Sequence, residues 1–178
     1  TLKPLRTCLL IICTFLTCTC PALAVRMAGA DSLSTGADTT MPGHRKTILA
    51  ISGGTAYTVS MIGLYQLWYR DYPQSAFHFF NDNREWKGID KLGHATSSYY
   101  MGRLGYAAWK WAGIPEKKAT WIGGLTGFFH LTIIEILDGF SAEWGASTGD
   151  LAANTFGSAL FISQQLGWHE QRMFLKWS

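Results

Sequence analysis

The chain has 178 residues, which is enough for one domain with a substantial core but short for two. Its 15 basic and 12 acidic residues give a formal net charge of +3 at pH 7. Lys3 and Arg6 belong to an N-terminal segment with a composition of its own, and the remainder carries 13 basic residues against 12 acidic ones. A chain so close to neutral lacks the basic surface of a protein that binds nucleic acid.

Residues 1–24 have the order of a secretory signal peptide. The two basic residues come first, an uncharged run continues to Cys20, and Pro-Ala-Leu-Ala then places small residues at Ala22 and Ala24. Cleavage before Val25 is therefore predicted. All four cysteines lie in this segment, so the cleaved chain would form neither a disulfide nor a cysteine-ligated zinc site.

Two other fates of the N-terminal segment stay open. A lipid could be attached at Cys18 or Cys20, where the residues three positions earlier are Phe15 and Thr17 in place of the leucine-like residue of a lipobox. The segment could also stay uncleaved as a membrane anchor. Each of the three fates predicts export from the cytoplasm.

The exported chain begins with two contrasting stretches. Residues 25–45 are rich in Gly, Ser, Thr, Ala and Asp, which predicts a flexible lead-in ahead of a helical domain at 46–178. Residues 47–69 then run for 23 positions without a charge. As a helix they would reach about 34 Å, enough for a bilayer core of about 30 Å. Their Gly, Ser and Thr content fits a buried helix of a bundle equally well, so both interpretations stay open.

A dense mixture of aromatic and charged residues follows, and Pro73 argues against a continuous helix there. We interpret this stretch as a long loop that folds over the end of a bundle as a lid. The alternative is a surface that contacts a ligand or a membrane interface. The residues of this aromatic loop are Trp68, Tyr69, Tyr72, Phe77, Phe79, Phe80 and Trp86.

Three further helices are predicted, at residues 90–111, 116–138 and 150–166. Asp90 provides a carboxylate at the first of these helix starts, where unpaired amides need an acceptor. Residues that stop helices follow at Gly113, Pro115, Gly139 and Gly167. The residues after Trp168 are predicted to form a short helical or frayed end. Because strand-like alternation is missing, the predicted fold is all-α, a four-helix antiparallel bundle with a long aromatic loop between the first and second helices.

Polar side chains gather at one end of this bundle. Short connections make neighbouring helices antiparallel, so the start of the second helix, the end of the third and the start of the fourth meet. Glu135 and Asp138 end a helix, where the helix dipole disfavours carboxylates, and they therefore need a cationic partner. The residues of this polar cluster are Asp90, Lys91, His94, Glu135, Asp138, Asp150 and Asn154.

Two interpretations of the polar cluster stay open. It is a candidate metal or acid–base site, or a buried hydrogen-bonded network that sets the register of the helices. If a divalent metal binds, Ca²⁺ or Mg²⁺ would use Glu135, Asp138 and Asp150, whereas Zn²⁺ would need His94 and two carboxylates. Without a metal, Lys91 must neutralise the acids.

The spaced motifs of residues 65–170 resemble a known family. They are Phe77-His-Phe-Phe-Asn-Asp, Trp86, Asp90-Lys-Leu-Gly-His94, Glu135-x-x-Asp138-Gly, Trp144-Gly-x-Ser147 and Asp150-x-x-x-Asn154-x-x-Gly157. This set is similar to the YfiM-like family of predicted periplasmic lipoproteins and, more remotely, to VanZ-like membrane proteins. The resemblance implies an envelope location and an uncharacterised family without an established reaction.

The charges argue against four membrane spans. After export, four spans would place residues 70–91 and 139–149 in the cytoplasm. Those loops hold four basic residues and the outer segments hold eight, which reverses the positive-inside bias. The sequence therefore predicts a periplasmic protein that is at most associated with the inner or outer membrane.

The sequence leaves two hypotheses about the function of the protein. The first is a non-catalytic subunit or accessory factor of an envelope assembly, favoured by the aromatic excess and the lack of a complete catalytic motif. The second is an enzyme or ligand-binding protein that acts on envelope lipid or glycan through the polar cluster. The expected partners are an envelope protein complex or membrane lipid, and not nucleic acid.

Overall fold

A computed structural model of the chain describes residues 42–82 and 88–176. Within them the regular structure is helical: α1 (Pro42–Leu64), α2 (Ile89–Trp111), α3 (Glu116–Asp138) and α4 (Thr148–Trp168), with a π-helical turn (Tyr65–Tyr69) directly after α1. These residues form no strand, and two isolated bridges, Gln74–Ser141 and Phe79–Ala146, connect the aromatic loop to the α3–α4 turn. The predicted all-α class with four helices is confirmed.

Some predicted segments lie outside the described residues. They are the signal peptide at 1–24, the lead-in as far as residue 41, and Trp86 of the aromatic loop. The helix α1 begins at Pro42, inside the stretch predicted as lead-in.

Local backbone signals explain most helix ends. Gly113 takes a left-handed φ of 81° in the α2–α3 turn, and the Ser147 hydroxyl accepts a hydrogen bond from the Asp150 amide at the start of α4. Gly167 was predicted to end α4, and this is wrong because the helix continues for one more residue. His169 ends it with a left-handed φ of 59°. A helical glycine costs only about 1 kcal/mol, which packing can offset.

The helices α2, α3 and α4 pack so closely that glycines are required at their contacts. A Cβ on Gly105 would lie 2.8 Å from the Gly123 carbonyl oxygen, and a Cβ on Gly157 would collide with the Ala95 carbonyl. The paired residues show that α2 runs antiparallel to α3 and parallel to α4. The buried apolar core between these helices contains Tyr99 of α2 and Phe161 and Ile162 of α4.

The helix α1 stands apart from this packing. Large apolar side chains along it are exposed, with Ile51 at 66% and Val59 at 55%. Its contacts with the bundle include a hydrogen bond from Arg45 to the Trp111 carbonyl and an edge contact of the Tyr57 ring with His130. Among the described residues, two helical stretches are long and apolar enough to cross a membrane, Gly43–Tyr69 and Glu116–Asp138, and none of the most apolar part of the first is buried.

The C-terminal residues pack along the bundle without forming a helix. The Gln164 side-chain oxygen accepts hydrogen bonds from the backbone amides of Arg172 and Met173 at 2.9 and 2.6 Å. Tyr99 and Tyr100 donate to carbonyls of the same segment. The prediction of a helical or frayed end was therefore wrong, because a buried glutamine satisfies the backbone that a helix would have satisfied internally.

Candidate functional site at the polar end

The aromatic loop covers the turn between α3 and α4. Trp68 and Tyr69 were predicted to lie in this loop, but both lie in the π-helical turn that precedes it. Trp68 stacks on Trp144 with centroids 5.0 Å apart, and Tyr72 of the loop meets the same ring edge-on at 4.6 Å. Phe77 contacts Phe140, and its ring fills the space where a Cβ of Gly139 would lie. The loop thus lies over the polar cluster at the end where the sequence predicts it.

Backbone hydrogen bonds hold the loop in this position. His78 N donates to the Gly139 carbonyl at 2.9 Å, while Phe80 N and the His78 carbonyl bond Ala146 in both directions at 3.0 Å. Phe79 and Phe80 nevertheless keep exposed rings. One face of the loop therefore packs on the bundle, and the other presents aromatic surface to the outside.

Lys91 occupies the centre of one half of the polar cluster. Its ammonium lies 2.8 Å from Asp82 and 3.1 Å from Asp150, and the Ser147 hydroxyl also donates to Asp82 at 2.7 Å. Burial alone would raise the pKa of Asp82, but the hydrogen bonds from Lys91 and Ser147 outweigh it and lower that pKa. Burial would lower the pKa of Lys91, but its two carboxylate partners raise it. This half of the cluster is an ion network.

Asp150 lies at the edge of the ion network. Burial, together with the neighbouring Asp82, raises its pKa to about 6, against the attraction of His94. Its side chain is almost fully buried while that of Lys91 keeps 19% exposure. Lys91 therefore pairs with two carboxylates, of which Asp150 is more deeply buried than Asp82.

His94 occupies the centre of the other half. Its Nδ1 lies 3.0 Å from the Asn154 side-chain oxygen. Its Nε2 faces Glu135 at 3.6 Å and Asp90 at 3.9 Å. Both of these distances are longer than a hydrogen bond, so Nε2 lies between two carboxylates without bonding to either.

Glu135 is 3% exposed, and its second carboxylate oxygen accepts a hydrogen bond from the Ser147 amide at 3.0 Å. Burial raises the pKa of this carboxyl to about 7, although the Ser147 amide and His94 act in the opposite direction. A carboxyl that titrates near neutrality beside an imidazole has the properties of an acid–base pair.

Asp138 is held separately from His94. The Tyr69 hydroxyl donates to it at 2.6 Å, and burial raises the pKa values of both groups. The sequence grouped Asp138 with the metal-ligand candidates and Tyr69 with the aromatic loop, and the structure joins the two in one hydrogen bond.

Asn154 is fully buried between α2 and α4. Its backbone carbonyl accepts a hydrogen bond from Ser98 at 2.7 Å, and its side-chain oxygen faces His94. Its side-chain nitrogen has no partner among the described residues. Buried amide donors are normally paired, so this atom marks the site as one that is not fully satisfied by the protein.

Metal-ligand geometry is present in part of the cluster. Asp90, His94 and Asp150 each bring one potential ligand atom within 4.8 Å of the others. Glu135 faces the same imidazole but is not in that group, and Asp138 is bonded to Tyr69.

Asp82 and Ser147 are polar residues of this site that were not included in the predicted cluster. Ser147 had a readable signal, because a serine three residues before Asp150 is a typical N-cap. For Asp82 the signal was its place at the end of the motif Phe77-His-Phe-Phe-Asn-Asp, since it comes from a loop without periodic structure.

The fold and the site define a class: an all-α protein with a buried carboxylate, imidazole and amide cluster beneath an aromatic loop. Residues 78–164 match the sequence model of a family described as "Predicted periplasmic lipoprotein (DUF2279)". This span is a little under half of the chain and contains the polar cluster with Asp82 and Ser147.

No curated protein and no solved structure matches the chain. The family match supports an uncharacterised family of periplasmic lipoproteins and confirms the periplasmic location predicted from the sequence. It describes an envelope protein and carries no reaction or partner.

Proposed function

We propose that the protein is a non-catalytic accessory subunit of a membrane-associated envelope assembly, and that α1 binds a helix of its partner. The observation that carries this proposal is the open space around the glycines of α1. Within the described residues, a Cβ added at Gly53, Gly54 or Gly63 would meet nothing within 4 Å. Each helical glycine costs about 1 kcal/mol relative to alanine, so glycines without an internal packing role favour close approach by another molecule.

The apolar character of α1 supports the same proposal. Exposed apolar surface of this extent marks an interaction site in a folded protein. The exposed apolar side chains of α1 and the following π-helical turn are Ile48, Ile51, Tyr57, Val59, Ile62, Tyr65 and Leu67.

A partner protein explains α1 better than a membrane crossing does. Export followed by a single crossing through α1 would leave the bundle on the cytoplasmic side, whereas the family description is periplasmic. We therefore propose that α1 lies against a membrane-embedded or membrane-bound partner, with a signal peptide at 1–24 and lipid at Cys18 or Cys20 as a further means of attachment. The YfiM-like and VanZ-like resemblances imply an envelope location, which agrees with this proposal.

Affinity purification of the full tagged chain from detergent-solubilised envelopes tests the proposal. We expect a defined partner protein with the wild type and its loss when Gly53→Leu and Gly54→Leu are combined. Gly167→Leu is the matched control, because that glycine is also open and exposed but lies at the end of α4. A protein recovered alone, or a partner retained by the double variant, would overturn the proposal.

Reporter fusions test the location on which the proposal depends. Fusions after Gly88 and Gly145 are expected to give a periplasmic signal at both positions. A cytoplasmic signal at both would contradict the periplasmic bundle.

A second candidate function is binding or conversion of an envelope lipid or glycan at the polar cluster. The observation that favours it is the buried Glu135 carboxyl, with a pKa of about 7, 3.6 Å from His94. If this function holds, mass spectrometry of the purified protein should detect a bound lipid or glycan that Glu135→Gln loses. A protein free of either ligand leaves the accessory role as the better account.

A further inference from the structure

We infer that Asp90, His94 and Asp150 bind a divalent transition-metal ion of the Zn²⁺ type. The inference adds an ion to the site of the second candidate function, and a structural ion would serve an accessory subunit equally well. It does not depend on the α1 interface.

The helices place the three ligands side by side. Asp90 and His94 are one turn apart on α2, and Asp150 lies in the first turn of the parallel α4. Their ligand atoms lie within 4.8 Å of one another. Ligand atoms of a tetrahedral Zn²⁺ site with bonds of about 2.1 Å are about 3.4 Å apart. The Asp90 side chain is 46% exposed and can rotate to close this difference.

The hydrogen bond to Asn154 sets the tautomer of His94. With Nδ1–H donating to the Asn154 oxygen at 3.0 Å, the lone pair of the neutral imidazole is on Nε2. A metal-binding histidine is commonly oriented by a hydrogen bond of this kind from its other ring nitrogen. The Nε2 lone pair then points at the space between Glu135 and Asp90.

That space suits a cation and not a direct hydrogen bond. Nε2 lies 3.9 Å from Asp90, too far for a hydrogen bond and close enough for both groups to bind one ion. Glu135, 3.6 Å from Nε2, adds negative charge beside the three ligands without being one of them. A divalent cation in this space would attract the carboxylates and accept the lone pair that the Nδ1–H tautomer places on Nε2.

Asn154 provides a second and independent observation. It is fully buried, its side chain is directed at His94, and its nitrogen has no partner in residues 42–82 and 88–176. A carboxylate or water ligand of a bound ion would supply the missing acceptor. The amide therefore acts as a positioning residue for His94.

The donor set selects the class of ion. One imidazole nitrogen with carboxylate oxygens is typical of Zn²⁺ and related borderline ions, whereas Mg²⁺ and Ca²⁺ prefer oxygen ligands alone. Lys91 remains beside Asp150 and balances the additional charge of Asp82.

Isothermal titration of the chelator-stripped full chain with Zn²⁺ tests the inference. We expect one site that neither Mg²⁺ nor Ca²⁺ occupies at the same concentration. His94→Gln and Asp90→Asn should each weaken Zn²⁺ binding at least tenfold, and Asn154→Ala should weaken it by about 10- to 100-fold through the orientation of the imidazole. Because the Asp90 side chain is 46% exposed, Asp90→Asn is expected to fold. A loss of Zn²⁺ binding in this variant would therefore reflect the lost ligand and not misfolding.

His169→Gln is the matched control. His169 lies 3.1 Å from Glu116 at the opposite end of the bundle, so it pairs a histidine with a carboxylate away from the polar cluster. Its removal should leave Zn²⁺ binding unchanged. No Zn²⁺ binding by the wild type, or equal binding by wild type, His94→Gln and Asp90→Asn, overturns the inference. Recovery of the partner by Asp90→Asn separates this outcome from failure of the accessory role.

Discussion

Glycines along α1 and glycines at the contacts between the bundle helices have opposite surroundings. At Gly123 and Gly157 a side chain would collide with a neighbouring helix, whereas at Gly53 it would meet nothing within 4 Å among the described residues. In the bundle the small residue is explained by contacts inside the chain. In α1 no contact among the described residues explains it, and this is the reason why a partner helix is proposed there.

The largest effect on the free energy of unfolding is expected for a glycine inside the bundle. Gly123→Ala should lower the free energy of unfolding by about 3 kcal/mol, because the new Cβ meets the backbone of Tyr106 and no flexible side chain can move aside. Gly53→Ala should cause no loss and should favour the α1 helix by up to about 1 kcal/mol. Chemical denaturation followed by circular dichroism compares the two. Equal losses in both variants would show that α1 is packed inside the chain.

The next effect concerns the ion network at the polar end. Lys91→Met leaves Asp82 and Asp150 without their shared cation, and we expect a loss of about 2 to 3 kcal/mol in the free energy of unfolding. Arg172→Met is the control, since its ion pair with Glu170 at 2.7 Å is exposed and should contribute no more than about 0.5 kcal/mol. Similar losses in the two variants would contradict a buried network.

The sequence predicted what depends on connectivity and local signals. Gly113 and Pro115 mark the α2–α3 turn, and short turns bring the end of α3 and the starts of α2 and α4 together. The polar cluster was therefore readable as a group before its contacts were known.

The sequence could not predict the contacts that depend on irregular backbone. The approach of Asp82 to Lys91 comes from a loop without periodicity, and the bond from Tyr69 to Asp138 joins residues that differ by 69 positions. The exposure of α1 could not be predicted from the sequence either, because an uncharged helix has the same composition whether its own bundle or a partner covers it.

The smallest effect is expected at the buried hydrogen bond from the Tyr69 hydroxyl to Asp138. Burial raises the pKa of Asp138 above its ordinary value of 3.8, so the folded state binds a proton at a higher pH than the unfolded state does. Stability from this group is therefore greatest below pH 3.8 and is lost as the pH rises through the folded pKa. Asp138→Asn removes that loss and keeps an acceptor for the Tyr69 hydroxyl. We expect it to be neutral at pH 4 and stabilising, by less than about 1 kcal/mol, at pH 8.

Asp138→Ala is the control for that substitution. It removes the acceptor at 2.6 Å as well as the charge and leaves the Tyr69 hydroxyl with only the Ile134 carbonyl at 3.4 Å, which should cost about 1 kcal/mol at both pH values. Denaturation curves at pH 4 and pH 8 distinguish the two variants. If Asp138→Asn were as destabilising as Asp138→Ala at pH 8, the carboxylate would be required as a charge. Asp138 would then belong with the ligands of a cation and not with the hydrogen bonds that hold the aromatic loop on α3.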